Sequence, residues 1–296
     1  MTADLFFQYL FAGITYGSIY AIVAIGFNII YNTTGIINFA QGEFVMLGGM
    51  VSISLVEFIP LSLAIVVAVA VTMAIGALVE IVCIRWLEKP TVLQMITITI
   101  GVSILLREAA LHIWGESIRR LPYFYGDEIT TFAVGSVHIS PQVLWVIATC
   151  GAMVLGLSLF FKLTPTGREM RACSANQTAA VLCGINTRNM VTLSFMLSAG
   201  IGALAGCVVS PITYTQYDVG TPLAIKGFTV AILGGLGNSM AAVAAGILLG
   251  IIEAFSVSVV PLAFQDAIAV TLLLAILFVK PHGLFGSSEA ARLKEY

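Results

Sequence analysis

About eight stretches of roughly twenty apolar residues follow one another along the chain, each the length a helix needs to cross a hydrocarbon layer of about 30 Å. They lie at 5–31, 36–56, 59–84, 92–114, 142–161, 190–212, 240–260 and 264–280, with a shorter, glycine-broken apolar segment at 223–237. A water-soluble domain has no means of covering so many apolar faces. With 59% apolar and 9% charged residues, the chain lies far from the roughly 45–50% and 25% of soluble domains. The expected fold class is an all-α polytopic membrane protein. About eight transmembrane helices and one short membrane segment form a single transmembrane domain over 1–296, with polar loops at 115–141 and 163–189.

Basic residues set the orientation, because loops on the cytoplasmic side of membrane helices are enriched in Lys and Arg. Arg85, Lys89, Lys162, Arg168, Arg171, Arg188, Lys280, Arg292 and Lys294 all fall on one side if the amino terminus lies outside and the short segment crosses. Arg119 and Arg120 are then outside with Asp127 and Glu128, and Arg107 and Lys226 lie within membrane segments. If 223–237 stayed on one side, the basic tail would face outward; the charge rule therefore requires that segment to cross. Asp4 and the lack of any Lys or Arg before Arg85 leave no positive region for a cleavable signal, so the first helix is expected to be retained.

The net charge of -2 gives no footing for nucleic acid. Cysteines 83, 150, 173, 183 and 207 stand apart with no metal-ligand spacing, and Cys83, Cys150 and Cys207 read as small apolar fillers. Gly13/Gly17, Gly202/Gly206 and Gly246/Gly250 carry the Gly-x-x-x-Gly spacing that lets helix backbones approach closely, read here as internal packing. In the 115–141 loop, Leu121–Asp127 is aromatic and turn-rich, suited to an interfacial collar or to contact with an external partner.

The 163–189 loop is too polar to span a membrane, yet it is punctuated as a helix. Thr166 and Glu169 have the spacing of a capping box, and Gly184 supplies a left-handed stop. Met170, Cys173, Gln177, Ala180 and Leu182 or Cys183 follow helical spacing, while Ala172, Ser174, Ala175, Ala179 and Ala180 keep the surface thin enough to enter a groove on another protein. By itself the pattern favours an ordinary solvated loop helix. The run resembles the coupling segment of ATP-binding-cassette importer permeases, and the whole chain resembles permeases of the branched-chain amino acid importer family. Matching pieces are Tyr16-Gly17-Ser18-Ile19-Tyr20-Ala21, Gly35-Ile36-Ile37-Asn38-Phe39-Ala40-Gln41-Gly42-Glu43, Leu233-Gly234-Gly235-Leu236-Gly237 and Lys280-Pro281-His282-Gly283-Leu284-Phe285-Gly286.

That resemblance implies a paralogous second permease, two ATPase subunits that use ATP, an external periplasmic solute-binding protein, and the bacterial inner membrane as location. This chain is then no enzyme and binds no cofactor itself; no Gly-x-x-x-x-Gly-Lys-Ser/Thr loop occurs in it. The coupling residues would be Gly167, Arg168, Glu169, Arg171, Ala172, Asn176, Ala179, Ala180 and Gly184. The family often has His where this chain has Gln41, which leaves urea, amides or aromatic acids open as solutes beside branched-chain amino acids.

Ionisable groups at membrane depth cost about 2.5–3.5 kcal/mol on insertion scales and mark partners or pathways. Arg107 and Glu108 lie near a helix end, where they can snorkel, and Glu80 reads as interfacial. Glu43 and Lys226 sit beside glycine-broken runs, Asn38–Gly49 and Lys226–Gly235, which both end in Leu-Gly-Gly, as two halves of an inverted repeat would. Thr221-Pro222 has the form of a cap with a first-turn proline. Lys226 then either faces the outer mouth, ready for a carboxylate, or is neutralised by Glu43 or Glu253. The translocation-path candidates are Asn38, Gln41, Glu43, Gln94, Thr97, Thr99 and Lys226. Two other functions stay open: an ion-coupled transporter using Glu43 or Glu253, and an intramembrane enzyme, for which His112, His138 and His282 are too scattered to build a catalytic or metal site.

Overall fold

A computed structural model describes residues 3–87, 91–127, 130–134, 137–258, 260–261, 264–280 and 283–284. Lys89, Glu128, Pro281, His282, Phe285, Gly286, Arg292 and Lys294 lie outside the described residues. The helices are α1 (Ala3–Thr34), α2 (Gln41–Val56), α3 (Leu61–Val79, continued by a π turn at Glu80–Ile84), α4 (Val92–Trp114), α5 (Pro141–Leu163), α6 (Pro165–Ala175), α7 (Gln177–Leu182), α8 (Thr187–Val209), α9 (Gly220–Gly234), α10 (Ser239–Ser256) and α11 (Gln265–Val279). A short antiparallel hairpin, β1 (Phe132–Val134) and β2 (Val137–Ile139), pairs Phe132 with Ile139 in the loop before α5.

Among the described residues six helices are long and apolar enough to cross a membrane: α1, α3 with its π turn, α4, α5, α8 and α10. The apolar helices α2, α9 and α11 are shorter. Two of the expected full crossings, 36–56 and 264–280, are therefore short helices. The first is shortened because Gly35, at φ +71°, ends α1 and the chain runs irregularly to Ala40 before α2 begins.

α1 and α8 form the sheathed centre, with α4 and α5 facing outward. All three Gly-x-x-x-Gly pairs serve close packing. A Cβ on Gly13 would lie 2.7 Å from Ile251 Cα, and one on Gly17 2.7 Å from Ile247 Cα, so α1 and α10 touch backbone to backbone in antiparallel sense. Gly202 and Gly206 receive α2 in the same way, against Phe44 Cβ and Gly49 N. Helices in lipid gain nothing by hiding apolar side chains from one another, so the close fit itself supplies the attraction.

The neighbours of each helix repeat. α1 packs on α8, α9 and α10, while α8 packs on α1, α2 and α3; α2 meets α3 and α4, as α9 meets α10 and α11. Exchanging α1–α4 for α8–α11 in order carries one set onto the other, with α5–α7 inserted between the halves. α3 and α8 are antiparallel like α1 and α10, with Gly76 against Phe195 and Ala199 and Gly200 against Met73. The two short helices α2 and α9 occupy equivalent places and touch at their starts, where a Cβ on Gly42 would lie 2.7 Å from Ala224 Cβ.

The loop between α4 and α5 is fastened to the α8–α9 connection. Arg119 and Thr215 exchange backbone hydrogen bonds of 3.0 and 2.8 Å, the Leu121 amide donates to Ser210, and Arg120 lies over the rings of Tyr123 and Tyr214.

Candidate translocation site and coupling surface

The irregular segment before α2 is held by its own polar groups. The Asn38 side chain turns back to accept the Ala40 amide at 3.1 Å. Gln41 is fully buried; it donates to the Ser198 carbonyl at 3.1 Å and accepts from the Ser198 hydroxyl at 2.5 Å. Ser198 also bonds the Gly26 carbonyl, so Gln41 acts as a wedge between α1 and α8.

The three α4 candidates do not join this centre. Gln94 is exposed and forms a capping box with Thr91, whose amide it accepts at 2.9 Å. Thr97 is exposed and bonds Leu93 O, and buried Thr99 bonds Ile96 O. These groups satisfy their own helix, a reading that polarity alone does not separate from channel lining.

Glu43 stands where the starts of α2 and α9 meet. It is 1% exposed, and its Oε1 accepts from Ser103 of α4 at 2.9 Å and from Thr221 of α9 at 3.4 Å. Oε2 is buried with no partner. Two helix N-termini, each with a positive end, and the Arg107 charge surround the carboxylate. The Asp218 charge opposes them. Thr221 is not a cap: α9 begins at Gly220 with Val219 before it and no side-chain capping bond, and the Thr221 hydroxyl is given to Glu43.

Lys226, further along α9, lies in a second cluster. Its ammonium donates to Asp266 of α11 at 3.0 Å, Tyr20 of α1 at 3.2 Å and Glu253 of α10 at 3.4 Å. Tyr20 in turn donates to Glu253 Oε2 at 2.8 Å. Of the two partners weighed for Lys226, Glu253 is the one in place and Glu43 is not. Tyr20 and Asp266 were missed, because nothing local marks a tyrosine in an apolar run or an aspartate in a helix's first turn.

The first half holds a matching group. Glu80 is 2% exposed, buried against its neighbouring helices. Its Oε2 accepts from Arg85 at 3.1 Å and from Thr192 of α8 at 2.8 Å. The π turn at Glu80–Ile84 begins at the carboxylate, and Arg85 follows it as the C-cap residue.

The polar loop is helical but broken. Thr164, not Thr166, caps α6: its hydroxyl accepts the Gly167 amide at 3.0 Å, and Pro165 takes the first helical position. Glu169 completes no capping box, which corrects the expected start. At Asn176 the backbone becomes extended and the side chain caps α7, accepting the Ala179 amide at 2.9 Å. The single rod expected from 166 to 184 is therefore two short helices, ending at Gly184 with φ +83° as expected. Gly167 packs on α5, with Phe161 Cα 2.8 Å from where a Cβ would stand. Met170, Cys173 and Ala180 are buried, and burial followed by the Glu169 charge raises the Cys173 thiol pKa above its usual range. Glu169 and Ala172 are half-buried; Arg168, Arg171, Asn176, Ala179 and Gly184 are exposed. Beside them Val181 and Leu182 stand out at 55% and 84% exposure.

The model of the family described as "Branched-chain amino acid transport system / permease component" matches residues 9–277. The chain belongs to that family. As a permease it is similar along nearly its whole length to curated relatives. It is 31% identical to the high-affinity branched-chain amino acid transport system permease protein BraD of Pseudomonas aeruginosa, covering 97% of this chain and 98% of that one. It is 30% identical to LivH of Escherichia coli K12 over the same shares. The probable branched-chain amino acid transport permease LivH of Methanocaldococcus jannaschii is 24% identical, over 92% of this permease and 90% of that chain.

Proposed function

We propose that this permease subunit pairs with a paralogous second permease to form the path for branched-chain amino acids in an ATP-binding-cassette importer of the bacterial inner membrane. Two separate ATPase subunits use the ATP, and a periplasmic binding protein delivers the solute. The full-length similarity to BraD and LivH carries the reading. The solvent-exposed apolar pair Val181 and Leu182, on a loop between membrane helices, supports the ATPase contact, since a loop with nothing to dock on gains nothing by holding Leu182 at 84% exposure. Gly167, Glu169, Ala172 and Ala180 seat α6 and α7 on the membrane helices, and Arg168, Arg171, Asn176, Ala179 and Gly184 line the outward face of the same coupling unit.

In this reading α1–α4, α5, α8, α10 and α11 cross, α9 is the short ninth segment, the amino terminus is outside and the carboxy terminus cytoplasmic. α2 ends beside α4, where Trp114 donates to Ser54, and α9 ends beside α1, where Asn32 donates to Gly237 O. With α2 and α3 both crossing, those ends are on opposite sides, so the two short helices start near mid-membrane and run apart, the arrangement that places a solute path between broken helices. Glu43 and Lys226 belong to that path. Gln41, held to Ser198, does not, so its replacement of the family's frequent histidine gives no reason to favour urea, amides or aromatic acids.

Leu182→Glu tests the coupling role. In the assembled importer it should leave the chain folded and reduce ATP-driven uptake at least about tenfold, by placing a charge in an apolar contact. Unchanged uptake with this variant would remove α7 from the ATPase contact.

A further inference from the structure

The Lys226 cluster carries one ammonium against two carboxylates. Its parts differ in accessibility. Glu253 is 1% exposed, Lys226 12% and Asp266 76%, so the cluster opens at Asp266 on α11. The three N–H donors of Lys226 are all engaged, by Tyr20, Glu253 and Asp266, and only the last has an exposed acceptor. Glu253 Oε1 is buried and receives no donor. The cluster thus has one buried oxygen without a donor and one ion pair that reaches the surface.

We propose that this cluster receives zwitterionic α-amino acids by ion-pair exchange, which rests on the permease function set out above and assigns the solute's two charged ends to named residues. The solute's ammonium group takes Asp266 from Lys226 and supplies the donor that Glu253 Oε1 lacks. The Lys226 N–H so released binds the solute's carboxylate, while Tyr20 and Glu253 Oε2 hold the lysine in position. Charges then alternate from Asp266 through the solute to Lys226 and Glu253. No covalent bond changes, and every donor lost is replaced. A neutral amide or urea cannot make the exchange, since it brings neither a cation for the carboxylates nor an anion for Lys226. The chain discriminates by itself, after the binding protein has made its own selection.

The test uses the complete importer in vesicles, with leucine uptake measured against the concentration of leucine-loaded binding protein for wild type, Asp266→Asn, Asp266→Glu and Lys226→Met. Removing one charge-assisted contact predicts uptake lowered about tenfold in Asp266→Asn and at least as much in Lys226→Met, with recovery in Asp266→Glu. Co-purification of the ATPase subunits reports assembly, and the exposed Asp266 side chain keeps its variant free of core damage. Wild-type rates in both Asp266→Asn and Lys226→Met, with wild-type leucine uptake intact, would overturn the exchange while leaving the permease assignment standing. A wild-type importer that takes up urea or an amide but neither leucine, isoleucine nor valine would overturn both.

Discussion

Glu80 and Glu253 occupy matching places in the two halves, yet their surroundings differ. Each is buried on the third helix of its half, each bonds a hydroxyl of the opposite half's first helix, and each meets a cation. Around Glu80 the account closes: Arg85 balances it, and Arg85 and Thr192 both donate to the same oxygen. Around Glu253 it stays open, with a bare oxygen and Asp266 as a second, exposed carboxylate. One geometry occurs twice; one copy is closed on its partners and the other leaves a buried acceptor open. A buried charge is therefore no functional signal by itself, and what separates the two sites is whether every donor and acceptor is matched.

The sharpest way to break the comparison is Glu80→Ala. Leaving Arg85 without its buried partner should cost about 3 kcal/mol or more, read as a lower unfolding temperature of the detergent-purified chain and poor recovery of assembled importer. If Glu80→Ala left stability unchanged while abolishing uptake, the roles given to the two carboxylates would be reversed. Tyr20→Phe is expected to be milder. It removes one hydroxyl from Lys226 and Glu253 and leaves the ion pairs, so stability should change by about 1 kcal/mol and leucine uptake should fall a few-fold. Smallest of all is Gln41→His, which exchanges one buried hydrogen-bonding side chain for another away from both clusters. Competition of leucine uptake by urea and amides should be the same before and after, and a change in solute preference would return Gln41 to the path.

Much of the fold was legible because lipid imposes one length on nearly every crossing, and hydropathy reads that length directly. The exception is instructive. Ile36 and Ile37 look like the start of a helix, but Gly35 and the Asn38 turn hold them in irregular backbone ahead of α2. In the 163–189 loop the spacing of Thr166 and Glu169 imitated a capping box, whereas Pro165 fits the first helical position only if Thr164 is the cap. Asn176 broke the rod because its side chain offers the next turn a local acceptor.

The site was harder to read, since its members meet only through tertiary contact. Glu43 and Lys226 were visible as charges out of place, and Glu253 as a partner for the lysine. Gln94 and Thr97 were polar for the benefit of their own helix, and Tyr20 came to matter only when α1 packed beside α9 and α10. The repeat was perceptible as two Leu-Gly-Gly runs, but its extent appears only in which helices touch which.

The central claim is that this chain supplies a passage and separate proteins supply the energy. Leucine uptake into vesicles holding the permease pair, with and without its ATPase subunits, tests it most directly. The account predicts accumulation that needs both ATP and the ATPases, and none driven by a proton or sodium gradient. Gradient-driven leucine counterflow by this chain alone would contradict it.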